Sequence, residues 1–513
     1  MTRSPVPPRA AWPLALLGGL LTYLAFPRYS LRPLAVAGPA LLVAATYRQP
    51  LRRSAGLGLG YGLAFFVPLL AWLQTGAGTN AWLVLAVLEA AFLAASGSAL
   101  SLVSRLPAWP LWSAGVWVLQ EAARGRVPFG GFTWGRLAFA MDEGPYLRWA
   151  AVGGAPLVTF LVALTAASLV FGVRHAAAAR HRFSGSSPPA AAAALAAGAL
   201  PLLLAPLLPR APAPERRVTV ALVQGNVPRL GLASFDPRQQ EMVVRNHVEA
   251  TFTLAEEVAA GRLPRPAFVV WPENSTDRDP REDLTVRALV DGATRRVGVP
   301  VLVGAVLDRD DGGAENAGIV WDPETGPGAT YAKRHLVPFG EYVPFRRVLT
   351  PWFGRLALVG SGFVPGANDE GGVLDLAGTR VGDVICFEIA YDGLVRDSVR
   401  DGAEVVVVQT NNASFGRTDQ THQQLAMSRV RAVEHGRTVL VAATSGVSAV
   451  IAPDGSVVRR SGIDTRDLLV RPVALSRGST LATRAGAWPE VFLAAMAGAA
   501  VLAGLLRARG ERR

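Results

Sequence analysis

Hydrophobicity in this chain is concentrated in two places. Of its 513 residues, those from 10 to 209 and from 488 to 506 carry long apolar runs, whereas the piece between has charges throughout. A hydrophobic fraction of 50% is high for a water-soluble protein, and this uneven placement accounts for it. The pattern predicts a polytopic membrane domain over 1–209 and a globular domain over 218–480. A last membrane helix over 488–506 closes the chain.

Eight apolar segments are candidates for crossing: 10–26, 34–45, 57–73, 81–103, 108–119, 147–173, 190–208 and 491–506. The second and fifth fall short of the roughly 20 residues that about 30 Å of hydrocarbon requires. A signal peptide is the competing reading of the first, but no clear cleavage site follows it. With the N-terminus inside, alternate loops hold Arg48, Arg52 and Arg53, then Arg105, then Arg174, Arg180 and Arg182, and finally Arg507, Arg509, Arg512 and Arg513. This alternation places both termini in the cytoplasm and the globular domain on the extracytoplasmic side. Loop 120–146 fits least well, because Arg124, Arg126, Arg136 and Arg148 would face outward. Its aromatics and mixed charges read as an ordered re-entrant piece at the membrane surface.

Several function classes drop out on composition. The net charge of +12 is spread over short loops between apolar segments, so topology explains it better than nucleic acid does. A single cysteine and six scattered histidines predict no disulfide framework, no metal site and no cofactor. The run GLGLGYG (Gly56 to Gly62) lacks the spacing of a nucleotide loop. Small residues four apart, Gly56 with Gly60 and Gly58 with Gly62, predict close helix packing instead. Glu89, in the middle of an apolar segment, reads as an interhelical hydrogen-bonding group.

PRAPAPERR (209–217) is a linker by composition. Beyond it, near-continuous apolar strands (VTVALVQGNV, AFVVWPE, PVLVGAVLD, NAGIVWDPETG, GATYAKRHLVP, EVVVVQTNN) alternate with helical stretches at 236–260, 282–297, 393–400 and 418–434. That alternation predicts an α/β fold with sheets buried beneath helices. Turns at 322–328 and 453–455 favour sheets over a barrel.

Three strand ends carry chemistry. Cys386 closes the apolar run VGDVI, Glu273 follows AFVVWP, and Lys333 follows GATYA. Taken singly, each has an ordinary alternative: a packing thiol, a capping acid, a surface lysine. Jointly, at strand ends of one α/β domain, they supply a cysteine with an acid and a lysine of the kind that a nucleophilic thiol needs.

In that chain order, with WPE, YAKRHLVPFGEYVP and GDVICFE around them, these residues resemble the nitrilase superfamily. Its catalytic set is Glu, Lys and Cys on an αββα sandwich. The longer form HLVPFGEYVP, flanked by membrane segments, is similar to the membrane-embedded branch of that superfamily, the apolipoprotein N-acyltransferases. The resemblance implies Glu273 as general base, Cys386 as nucleophile and Lys333 as oxyanion cation. It gives supporting roles to Glu341 and Glu388. Phe387 stands where tyrosine is common, so an aromatic wall survives without a hydroxyl. Trp134, in GGFTW, matches a substrate-side aromatic, and Asn316 is a weaker match. Phe235 stands in for a tryptophan that relatives often carry.

The reaction implied is a ping-pong transfer in a bacterial cytoplasmic membrane. Cys386 takes an acyl chain from a phospholipid as a thioester, and the N-terminal cysteine amine of a diacylated lipoprotein attacks it. The apolar insertion 345–366 is then expected to act as a mobile arm at the bilayer. A membrane-tethered nitrilase-like amidase is the runner-up, and a transporter or scaffold with an inactive domain is the non-enzymatic alternative.

Overall fold

The computed structural model describes residues 6–180, 188–209, 211–227, 237–338, 340–342, 362–366 and 372–510. Most of the apolar insertion (345–361), Phe235 and Arg182 lie outside the described residues. Two compact units result, one of Met1–Ala71, Thr79–Pro209 and Ala485–Arg513, the other of Trp72–Gly78 and Arg210–Arg484.

The first unit is helical: α1 (Pro8–Ala25), α2 (Leu34–Thr46), α3 (Leu51–Leu69), α5 (Thr79–Val103), α6 (Trp109–Arg124), α7 (Ala150–Arg180), α8 (Pro188–Leu204) and α14 (Trp488–Gly510). Among the described residues, three helical stretches are long and apolar enough to cross a membrane, at Thr79–Val103, Pro145–Ala177 and Trp488–Gly510. Leu34–Thr46 and Ala192–Leu207 are apolar but shorter. Arg52, Arg53 and the glycines dilute the hydropathy of α3. Those glycines serve packing: a Cβ on Gly58 would lie 2.0 Å from Leu93 O and one on Gly62 2.7 Å from Ala90 Cα, so α3 sits backbone-close on α5. Gly56 and Gly60 instead face the ring of Trp12 on α1.

Several charges in this unit are paired internally. Arg124 Nη1 donates to Glu89 Oε2 at 2.9 Å and to Phe132 O at 3.0 Å, and also bonds the carbonyl of Trp134. Glu89 is therefore the interhelical bonding group that its position suggests. Glu490 on α14 accepts from Arg136 Nη2 at 3.0 Å and from Arg126. With Arg148 Nη1 donating to Ala205 O at 3.1 Å, all four arginines that fit poorly as outward loop charges meet carboxylates or carbonyls within the unit.

The short helix α4 (Leu73–Gly76) belongs with the second unit, where Trp72 meets Phe415 edge-on at 4.9 Å. The rest of that unit comprises two six-stranded sheets, in the orders β12-β1-β2-β3-β4-β5 and β11-β10-β9-β8-β7-β6. The strands of the first are β1 (Arg216–Gln224), β2 (Phe268–Val270), β3 (Val301–Asp308), β4 (Ala314–Asp322), β5 (Gly326–Ala332) and β12 (Asp467–Leu475). Those of the second are β6 (Val373–Leu376), β7 (Thr379–Ile385), β8 (Val405–Thr410), β9 (Val439–Ala443), β10 (Ala449–Ile451) and β11 (Val457–Arg460). In each sheet three central strands are parallel (β1-β2-β3 and β7-β8-β9) and the edges antiparallel.

Side-chain alternation sorts the layers. Val220, Leu222, Phe268, Val270 and Leu302 pack with Val381, Ile385, Val405, Val407 and Leu440 between the sheets. Their neighbours Ala221, Val223, Val269, Trp271, Val301 and Val303 pack under α9 (Pro237–Ala259) and α10 (Leu284–Val297). On the second sheet the helical layer includes α11 (Asp392–Arg400) and α12 (Gln420–His435), and the short helix α13 (Leu481–Ala485) follows β12. Strands covered on both faces must be apolar at every position, which is why VVVV of β8 reads as a continuous run. Helix α10 begins where Asp283 Oδ1 caps the N–H groups of Thr285 and Val286, and ends at Gly298 in the left-handed region. The sequence GATYAKRHLVP suggests one strand, but β5 stops at Ala332. From Arg334 the backbone N–H groups turn away from the ladder to a carboxylate described below.

Candidate active site

Parallel strands of the two sheets end on one side of the second unit, and the polar residues collect there. Cys386 immediately follows β7 with φ of +54°, so the chain turns sharply into a short 3-10 helix, Cys386–Ala390. A non-glycine residue in this region costs roughly 1 to 2 kcal/mol and persists only where neighbours impose it. Glu388 supplies the constraint. Its Oε2 accepts from Ile385 N at 2.9 Å and Tyr331 Oη at 3.0 Å, and its Oε1 accepts from Arg334 N at 2.8 Å and His335 N at 3.0 Å. One buried carboxylate therefore ties the cysteine turn to the segment that leaves β5 and carries Lys333.

Glu273 lies beyond the end of β2, where β3 passes so closely that a Cβ on Gly304 would fall 2.1 Å from Pro272 O. Its Oε1 accepts from Lys333 Nζ at 3.0 Å and Asn316 Nδ2 at 2.7 Å, and its Oε2 from Asn411 N at 2.7 Å. Lys333 Nζ and Asn316 Nδ2 also donate to Glu341 Oε1, at 2.8 and 3.0 Å. Glu341 Oε2 accepts from Val337 N at 2.7 Å. Lys333 thus bridges two carboxylates while 1% exposed, so the ammonium is fully desolvated and compensated by direct contacts.

The electrostatics follow from that geometry. Burial, with the negative charges of Glu273 and Glu341, pushes the Cys386 thiol up to about 12, against the opposing pull of Lys333 and a hydrogen bond from Thr410. Burial alone would lower Lys333, but Glu273, Glu341 and an ionised Cys386 together hold its ammonium well above the usual lysine range. The resting site is therefore a neutral thiol beside a lysinium and two glutamates. Burial and the Lys333 charge lower His335 to about 4, so it is neutral at physiological pH.

A thiol whose ionisation is raised on folding holds its proton more tightly in the native state. Between an unfolded value near 9 and the folded value of about 12, stability should fall as pH rises, by at most about 1.4 kcal/mol per unit. Melting temperatures of wild type and Cys386→Ala at pH 8 and pH 10 check this. The alkaline loss should be smaller in the variant.

Of the residues that the sequence singles out, Glu273, Lys333, Glu341, Asn316, Glu388 and Cys386 stand together at these strand ends. Phe387 is buried beside Tyr391, ring to ring at 5.3 Å, and His335. Trp134 belongs to the first unit, 1% exposed, with its ring stacked on Phe132. Sequence reasoning missed the far wall of the site. The end of β8 contributes Thr410 Oγ1, 3.3 Å from Cys386 Sγ, and the Asn411 N–H to Glu273. Gln409 Nε2 donates to Trp271 O at 2.6 Å, joining the strand end that leads to Glu273 to the opposite sheet. The polar ending QTNN on an apolar strand was the available signal. Among the described residues no cluster of histidine, cysteine, aspartate and glutamate could hold a metal ion.

Chemically, this arrangement can place a carboxylate acceptor and an ammonium beside a single thiol. The chain matches the apolipoprotein N-acyltransferase N-terminal domain over residues 18–168 and the carbon-nitrogen hydrolase domain over residues 219–483. It is 40% identical over 512 residues to the apolipoprotein N-acyltransferase of Mycolicibacterium smegmatis, covering 95% of this chain and 84% of that protein. To the enzyme of the same name from Azotobacter vinelandii it is 31% identical over 541 residues, covering 98% and 97%. An amidase from Nesterenkonia sp. is similar at a TM-score of 0.37 and 20% identity, over 50% of this chain and 90% of that one, a level too low to bear on mechanism. With two family domains in order along the chain and relatives matched over nearly their whole length, the protein belongs to the apolipoprotein N-acyltransferase family.

Proposed function

We propose that this chain is a membrane enzyme that moves an acyl chain from a phospholipid to the N-terminal cysteine amine of a diacylated lipoprotein, through a thioester on Cys386. The observation that carries the reading is the cluster of Cys386, Glu273 and Lys333 at strand ends of a carbon-nitrogen hydrolase domain flanked by apolar helices. As the sulfur attacks the ester carbonyl, the thiol proton passes to Glu273. The oxygen that becomes anionic is stabilised by Lys333, and the lysophospholipid alcohol leaves with the proton held by Glu273. In the second half the lipoprotein amine attacks the thioester, Glu273 takes its proton, and the thiol is regenerated. Glu341 and Asn316 hold Lys333 and Glu273 in register, and Glu388 holds the cysteine turn.

Residues 1–209 and 488–506 form the membrane part and 218–480 the catalytic part, which faces the extracytoplasmic side with both termini in the cytoplasm. Anchoring at both ends keeps the cleft at the bilayer surface, where both substrates are concentrated. Trp134 and Phe387 are assigned to substrate contact.

Intact-mass measurement of the purified full chain incubated with phospholipid tests the reading. An added acyl mass is expected, mapping to the peptide that contains Cys386 and removed by hydroxylamine or by a diacylated lipopeptide. A folded protein that never acquires the mass, or that loses it only to water, would overturn the transferase reading in favour of an amidase-like hydrolase.

A further inference from the structure

The thiol has a neighbour that the Glu-Lys-Cys scheme leaves unused. Thr410, wholly buried at the end of β8, has its Oγ1 3.3 Å from Cys386 Sγ and 3.1 Å from Gln424 Oε1. A hydroxyl carries one proton, so it cannot donate to both. Gln424 sits on α12 within a buried amide cluster, where Asn412 Nδ2 donates to Gln424 Oε1 at 2.8 Å and to Gln420 Oε1 at 2.7 Å. The Thr410 proton therefore chooses between a neutral amide oxygen and the sulfur. A neutral thiol is a weak acceptor and an anionic sulfur a strong one, so the choice follows the charge on Cys386.

We propose that Thr410 is a further catalytic residue: its hydroxyl turns from Gln424 Oε1 to Cys386 Sγ as the thiol loses its proton, and turns back when the sulfur is acylated. The inference rests on the reading of Cys386 as nucleophile. The S–H proton goes to Glu273, Thr410 keeps its own proton throughout, and only hydrogen bonds are exchanged. When the thioester forms, the sulfur is again a poor acceptor and the hydroxyl returns to Gln424. Other groups face the sulfur without doing this. Glu273 and Glu341 oppose its charge and Lys333 favours it. Glu388 and Asp383 on the cysteine's own strand and turn, Tyr331 and His335 from the β5 side, and Arg431 of α12 on the Ile389 and Ala390 carbonyls complete the surroundings.

The absence of any other cysteine makes the test direct, since alkylation of the full chain reads Cys386 alone. Iodoacetamide rates are measured from pH 7 to 10 on folded, detergent-solubilised protein. Thr410→Val, nearly the same shape without the hydroxyl, should react about tenfold more slowly at each pH, while Thr410→Ser reacts like wild type. Gln424→Met removes the competing acceptor and should react faster than wild type. A Thr410→Val rate equal to wild type would overturn the proposal. If Thr410→Val does not fold, Gln424→Met decides, and a rate unchanged or lower sinks the idea. Failure of Cys386 to take an acyl mass would instead refute the nucleophile reading, leaving the alkylation result to stand by itself.

Discussion

Cys386→Ala is expected to reduce transfer of a labelled acyl chain to a synthetic diacylated lipopeptide by about a millionfold, to the background of the lipid mixture, as loss of the nucleophile does in enzymes that act through a covalent intermediate. No second thiol exists in the chain to substitute. Cys386→Ser should be nearly as inactive. A serine hydroxyl is a poorer nucleophile and far less acidic, and the surroundings already disfavour an anion enough to push the thiol up to about 12. Both variants should fold, because the left-handed turn at position 386 is imposed by Glu388 through Ile385, Arg334, His335 and Tyr331 rather than by the cysteine. Residual transfer by Cys386→Ala within a hundredfold of wild type would rule out the thioester route.

The second large effect belongs to Glu273. Because the thiol is protonated at neutral pH, the proposed attack has to move a proton, and Glu273 is the carboxylate proposed to receive it. Glu273→Gln is expected to lower kcat by about a thousandfold, within the span of general-base contributions, with a much smaller change in KM. Part of that loss is positional, since an amide would turn an N–H toward the donors Lys333, Asn316 and Asn411 N that now converge on the carboxylate. A second readout separates base chemistry from general damage. The Glu273 charge raises the Cys386 thiol, so removing it should make the thiol more acidic and its alkylation faster while turnover falls. A variant in which alkylation and turnover fall together would place Glu273 in a purely structural role.

How much of this was legible beforehand differs by level. The burial of sheets beneath helices in an α/β domain was, because parallel strands buried on both faces must be apolar throughout, as the runs VVVV and AFVV are; the αββα sandwich was legible only through the family resemblance. The interhelical role of Glu89 was legible as a need, since a carboxylate among apolar side chains requires a partner, but Arg124 could not be named without the helix packing. The sequence also predicts eight spanning helices, whereas among the described residues three stretches are long and apolar enough by themselves. Hydropathy runs do not reveal where a helix starts or how far glycines and arginines dilute it.

The sequence by itself determined the division into apolar and globular parts and pointed to the candidate reactive side chains, because hydropathy is a local sum and a thiol, a lysine and an acid are visible as letters. Only the tertiary structure decided what those side chains touch. Lys333 on Glu273, the donors Tyr331, Arg334 and His335 on Glu388, the backbone N–H of Asn411 on Glu273 and the Thr410 hydroxyl on the sulfur all join residues distant in the chain. Such contacts depend on the order and register in which strands of two sheets end side by side. A backbone N–H leaves no mark in a sequence, and a hydroxyl has no preferred acceptor until the fold brings one within reach.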